Sequence, residues 1–220
     1  MTNPLNPKQI QRRTVQMTTF EDGLWDILTG LIFLLLGIYP LTRVLLGPNL
    51  NLVFFLAVML VFVFLQVIAR RHYSEPRLGV VKMRPAPSKV FIVAMVGLLI
   101  AVSLALGFSI IRIPDALRTT IDEMPAWFKI FGVDLLASLL IMVVYSLMGF
   151  VFGVPRLYIY GWLIGVGNLA SVILSRWYGL NFNLPLVAAS LIILAVGVNL
   201  FVRFLRKYPL PSVDQEAEHV

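Results

Sequence analysis

The sequence predicts an all-α polytopic membrane protein with six transmembrane helices and both termini on the cytoplasmic side. Three observations predict it. Hydrophobic residues make up 59% of the chain and charged residues 13%, with a mean hydropathy of +0.89, which exceeds what a soluble core needs. Six apolar runs approach the ~20 residues that a helix needs to cross the hydrocarbon layer. Basic residues crowd into alternate connections between those runs. At 220 residues there is room for these spans and no large extramembrane domain. The division is a cytoplasmic segment 1–22, a transmembrane domain 23–203 and a cytoplasmic tail 204–220.

The first span is expected over 23–46. Thr18 and Glu21 have the spacing of a capping box, and Glu21 and Asp22 suit the positive end of a helix dipole. The apolar run is too long for a signal peptide and no small-residue cleavage site comes after it, so it is expected to remain as an anchor. Gly23, Gly30 and Gly37 recur at sevens and mark a close-packing face. "LGPNLN" then allows only a tight turn into the second span, 50–69. Next comes the loop "RRHYSEPRLGVVKMRPAPSK", where Pro76, Pro85 and Pro87 argue against one continuous helix. The third span, 90–111, has 22 residues without a charge between Lys89 and Arg112. In "IPDALRTTIDEMPAWFK" a short surface helix is expected, opened by Pro114 or Asp115 and ended before Pro125. The fourth span is expected over 130–152. The fifth, 157–175, lies between Arg156 and Arg176 with tyrosines and tryptophans near both ends, as aromatic belts require. The sixth is expected over 184–202, and the tail "PSVDQEAEHV" reads as disordered.

Counting Lys and Arg by side places thirteen on the side of the termini and five on the other, which makes the former cytoplasmic by the positive-inside rule. The net charge of +7 therefore belongs to membrane-flanking segments. It points to anionic lipid head groups at the 70–89 loop as a partner, and not to nucleic acid. The chain has no cysteine, which excludes disulfides, thiol catalysis and Cys-ligated metal or iron–sulfur centres.

No catalytic, cofactor-binding or metal-binding set is found, and the chain does not read as an enzyme. His72 and His219 are the only histidines and neither falls in a span, which removes bis-histidine haem and a rhomboid-type dyad. The polar residues that any function would use are few. Asp134 lies five residues after Lys129 and fits an interface; Asn199 is near Arg203 and fits one too. Asn168 lies near the middle of its span. It shares a helical face with Gly161 and Gly165, a G-x-x-x-G pair, which predicts close packing with the amide bonding across the contact. Asp26 is separated from Arg43 by an uncharged run of 16 residues, about 24 Å at 1.5 Å per residue and shorter than the ~30 Å hydrocarbon core. Asp26 should then face protein or water. With the first turn centred on Gly47 and Pro48, equal rise along the hairpin sets Asp26 level with residue 69. Arg70 is thus its expected ion-pair partner.

"EPRLGVV" and "VPRLYIY" share Pro-Arg-Leu, each after an inward-running helix. The plain reading is a helix-starting proline with an arginine at the interface, used twice; the sharper one is a duplicated hairpin. The runs "FEDGLWDILTGL" and "SEPRLGVVKM" resemble segments of uncharacterised prokaryotic multi-pass membrane proteins that pair Asp-Gly-Leu-Trp with Pro-Arg-x-Gly. The resemblance implies a prokaryotic inner-membrane location and no activity. Two functional readings stand: a non-enzymatic protein acting through helix packing, a membrane-protein partner or homo-oligomerisation, and a small transporter or channel subunit using Asp26 and Asn168.

Overall fold

The computed structural model describes residues 20–78, 126–179 and 183–209. The expected third span, the surface helix after it, the amino-terminal segment up to Thr19 and the tail from residue 210 lie outside the described residues. Within them every regular element is helical: α1 Leu24–Leu46, α2 Pro48–Ala69, a π-helical turn Arg70–Ser74, α3 Glu75–Leu78, α4 Ala126–Phe152, α5 Pro155–Tyr178 and α6 Leu184–Lys207. Five of these helices are long and apolar enough to cross a membrane.

α1 begins where Gly23 takes φ 70°, a conformation that an L side chain adopts only at a cost. The Asp22 Oδ1 accepts the Leu24 N–H at 3.1 Å and satisfies one of the amides that the first turn leaves open. Thr18 of the expected capping box is not among the described residues. Glu21 pairs with Lys207 Nζ at 2.6 Å and accepts the Tyr208 hydroxyl at 3.1 Å, joining the start of α1 to the end of α6.

Among the described spans α2 is the least enclosed and α1 the most, with 6% and 56% of their apolar windows buried, and α1 packs on both α2 and α6. Its glycine face lies on α6, antiparallel. A Cβ on Gly30 would stand 2.9 Å from the Leu194 amide nitrogen, and one on Gly37 would stand 2.6 Å from a Val187 methyl. Each seven-residue step on α1 is thus matched by seven residues back on α6. α6 returns the arrangement with Gly197 against Ile27. In lipid, where apolar surface gains nothing by leaving its surroundings, this close backbone approach is what holds two helices together. The opposite side of α1 carries Leu35 and Tyr39, which pack on Phe55 of α2. A third strip, adjoining the glycines, carries Phe33, which meets Tyr145 of α4 edge-on at 6.1 Å.

α4 and α5 form a second antiparallel pair joined at Gly153, whose φ of 65° turns the chain. Gly161 faces Tyr145 and Met142, and Gly165 faces Met142 and the Ser138 carbonyl. α5 meets α6 through Gly167, which lies against Pro185 and Ala189. There Ser171 Oγ accepts the Leu186 N–H at 3.1 Å and caps the first turn of α6.

The helices overrun the expected spans: α4 starts at Ala126, α5 covers Pro155–Tyr178 and α6 runs on to Lys207. Hydropathy locates the hydrocarbon zone. Helical hydrogen bonds continue past it, while long basic side chains carry their charge to water.

Candidate functional site: an ion cluster at one end of the bundle

Asp26 lies two residues into α1, on the strip that faces α4 and α5, and its side chain is 0% exposed. A bare carboxylate there would be very costly. Its counter-charge comes from Arg156, the second residue of α5, whose Nη2 is 3.0 Å from Asp26 Oδ2. The same guanidinium donates to the Phe20 carbonyl. Pro155 starts α5 at the turn after Val154, which sets Arg156 at the mouth of the bundle, 25% exposed. One side chain therefore bridges buried acid, backbone and solvent. Around it Phe20 packs on Phe152 at 5.3 Å and edge-on to Trp25 at 6.1 Å, closing the cluster laterally with rings. Tyr160, one turn further along α5, brings its hydroxyl beside the Asp26 carboxylate.

A second acid, Asp22, is 2% exposed. Both its oxygens are taken: Oδ1 by the Leu24 amide, and Oδ2 by Ser74 Oγ, which donates at 2.9 Å. Ser74 is delivered by the π-helical turn that continues α2 into α3. The turn is held by Tyr73, edge-on to Phe201 of α6 at 6.1 Å. Beyond it, Arg77 Nη1 donates to the Leu205 and Tyr208 carbonyls at 3.0 and 2.8 Å, capping the last turn of α6. Burial pushes the Asp22 carboxyl above its ordinary range. The Ser74 hydroxyl, the Leu24 amide and the charges of Arg70 and Arg156 pull it partway back.

The expected Asp26–Arg70 pair is corrected by this geometry: the ion pair of Asp26 goes to Arg156, and the Arg70 charge acts on Asp22. The depth argument itself is close to what is seen, since Ser74 meets Asp22 and Phe55 meets Tyr39 across the hairpin. Depth does not fix direction around the helix axis. α2 lies against the Leu35 and Tyr39 side of α1, while Asp26 looks away from it towards α5.

The other sequence-predicted residues occupy separate places. Asp134 sits near the opposite end of α4 and pairs with Arg176 at 3.5 Å, both partly exposed. Asn168 Nδ2 donates to Ser138 Oγ at 2.9 Å, and Ser138 Oγ donates to the Asp134 carbonyl at 2.8 Å. Asn168 thus bonds across the same α4–α5 contact that Gly161 and Gly165 line, and Asp26 is not part of it. Gly23, Gly30 and Gly37 line the α1–α6 contact.

Sequence reasoning misses Asp22, Ser74, Arg156 and Tyr160 as members of a cluster. Read along the chain, Arg156 marks only the edge of a span. The signal that singles it out is the shared Pro-Arg-Leu, because in both copies the arginine reaches a carbonyl of a distant segment. Asn51 is missed as well; it is buried in the α1–α2 contact, with Nδ2 3.5 Å from the Tyr39 carbonyl.

Among the described residues no group of three His, Asp or Glu side chains is placed to hold a metal ion. Comparison with known protein families, with curated proteins and with solved structures finds no match to this chain.

Proposed function

We propose that this chain is a non-enzymatic, six-span integral protein of a prokaryotic cytoplasmic membrane, with both termini inside, acting through helix packing and contact with membrane-protein partners or further copies of itself. The observation that carries the reading is how its intramembrane polar groups are used. Asp26 is joined to Arg156 and Asn168 to Ser138, each across a helix–helix contact. Groups spent on such joints are not lining a wet path.

Support for a sixth crossing comes from parity. Arg77 sits at the carboxyl end of α6, beside the cluster, as do Phe152 and Phe20. α4 has 27 residues, about 40 Å at 1.5 Å per residue, so Ala126 lies at the far end of the bundle. Leu78 and Ala126 lie at opposite ends of the bundle, and the sequence between them holds the charge-free stretch 90–111, which the proposed topology uses as the sixth crossing. Arg71, Arg203 and Arg206, exposed at the cluster end, suit anionic head groups on the cytoplasmic leaflet, with the 70–89 loop as the lipid-contacting segment.

The test is purification in mild detergent with cross-linking and identification of what is captured, together with proton, sodium and potassium flux in proteoliposomes. Capture of a defined membrane protein or a second copy, with no flux above protein-free vesicles, is the expected result. A flux abolished by Asn168→Leu in a folded protein would overturn the reading in favour of a transporter or channel.

A further inference from the structure

α6 has an inner and an outer side. Gly197 lies against α1, Phe201 meets Tyr73, and Leu186, Ala189, Ile193 and Phe204 are buried. On the other side Ile192, Val196, Asn199, Arg203 and Arg206 recur at steps of four, three, four and three, which puts them on one strip of the helix. All five are exposed. The strip is apolar at Ile192 and Val196, carries a carboxamide at Asn199, and ends in two guanidiniums. Among the described residues none of Asn199, Arg203 and Arg206 has a hydrogen-bond or ion-pair partner.

The neighbouring charges are already committed. Lys207 is held by Glu21 at 2.6 Å. The carbonyls at the end of α6, which would repel an anion, are taken in part by Arg77, which donates to Leu205 and Tyr208. Two cations one turn apart on an exposed face therefore lack a counter-charge on this side of the helix. Asn199 lies about 6 Å nearer the membrane centre than Arg203, at 1.5 Å per residue. An amide facing outwards at that depth needs a partner that lipid tails do not supply.

One ligand meets all three demands. A phosphate accepts from two guanidiniums at once. The ester carbonyls of a glycerophospholipid lie on the hydrocarbon side of its phosphate, where the Asn199 amide can donate to them, and its acyl chains continue along Val196 and Ile192. A free phosphate would use only the arginines. A zwitterionic head group would bring a further cation to a site that already has two.

We propose that Asn199, Arg203 and Arg206 form a binding site for one anionic phospholipid on the outer face of α6. The site deepens the head-group contact advanced under Proposed function and rests on that reading. Arg203 and Arg206 hold the phosphate, and Asn199 sets the depth of the glycerol ester. Arg71, on the π-helical turn beside the opposite side of α6, contributes only diffuse attraction.

The experiment is native mass spectrometry of the full chain released from vesicles of phosphatidylcholine with a minor share of phosphatidylglycerol. One retained phosphatidylglycerol per chain is expected in the wild type and in Arg71→Gln. Arg203→Gln with Arg206→Gln should weaken retention by about tenfold or more, and Asn199→Leu, apolar and of similar size, by about threefold or more. Should the double variant fail to fold, Asn199→Leu decides. If Arg71→Gln weakens retention as much as the double variant while Asn199→Leu leaves it unchanged, the site is overturned and diffuse head-group attraction stands. No preference for phosphatidylglycerol over phosphatidylcholine overturns the site and the head-group reading together. Displacement of the lipid by inorganic phosphate at matched concentration also overturns the proposal, by making the site one for a free anion.

Discussion

Asp22 shows at the residue scale what a buried charge costs and what compensates it. Its carboxyl is pushed up from an ordinary value of 3.8 chiefly by burial, so the folded chain holds a proton there more tightly than the unfolded chain does. Between 3.8 and the raised folded value, the native state binds more protons, and stability therefore falls as pH rises through that window. Asp22→Asn keeps a side chain able to bond both the Leu24 amide and Ser74 while removing the titration. Its thermal midpoint in detergent should vary less with pH across that window than that of the wild type; parallel curves would show that Asp22 is not the group responsible. Asp26 and Arg156 are coupled more directly. Removing either leaves the other uncompensated, so a double-mutant cycle of Asp26→Asn and Arg156→Gln should give a coupling of about 1–3 kcal/mol, whereas Asp26→Asn with Arg70→Gln should be closer to additive. Equal couplings would restore Arg70 as the partner.

The elements divide their interfaces by side-chain size. α1 on α6 and α5 on α4 are glycine contacts with neighbours already within the distance a Cβ would need. Replacing Gly161 and Gly165 by Leu should cost on the order of 1–3 kcal/mol through overpacking, read as a lower midpoint in detergent. Val166→Leu, on the exposed face of the same helix, should change little, and equal tolerance at all three positions would place the packing face elsewhere. These interfaces were legible because small residues at sevens and fours have one plain meaning in a membrane helix. The spans α1, α2, α4, α5 and α6 were legible for the same kind of reason, as hydropathy and length act locally. Helix ends were not, since interfacial residues carry on the hydrogen-bond ladder without an apolar signature. The cluster was only half legible. Asp26 stands out in an apolar run, but Arg156, 130 positions later in the chain, is chosen by how α5 docks. The shared Pro-Arg-Leu marks the arginine, but no local pattern names its partner.

At the scale of the whole molecule, the cluster, the π-helical turn and the carboxyl end of α6 gather at one end, and the Gly47 and Gly179 turns lie at the other. The proposed topology makes the first end cytoplasmic. The absence of cysteine from the chain permits a direct measurement with single introduced thiols and a membrane-impermeant maleimide on intact cells. Asn49→Cys and Tyr178→Cys, exposed near the two turns, should label from outside, and Arg206→Cys should label only after permeabilisation. Labelling of Arg206→Cys from outside, with Asn49→Cys and Tyr178→Cys protected, would invert the protein in the membrane. Labelling of all three from one side would contradict the antiparallel membrane bundle itself.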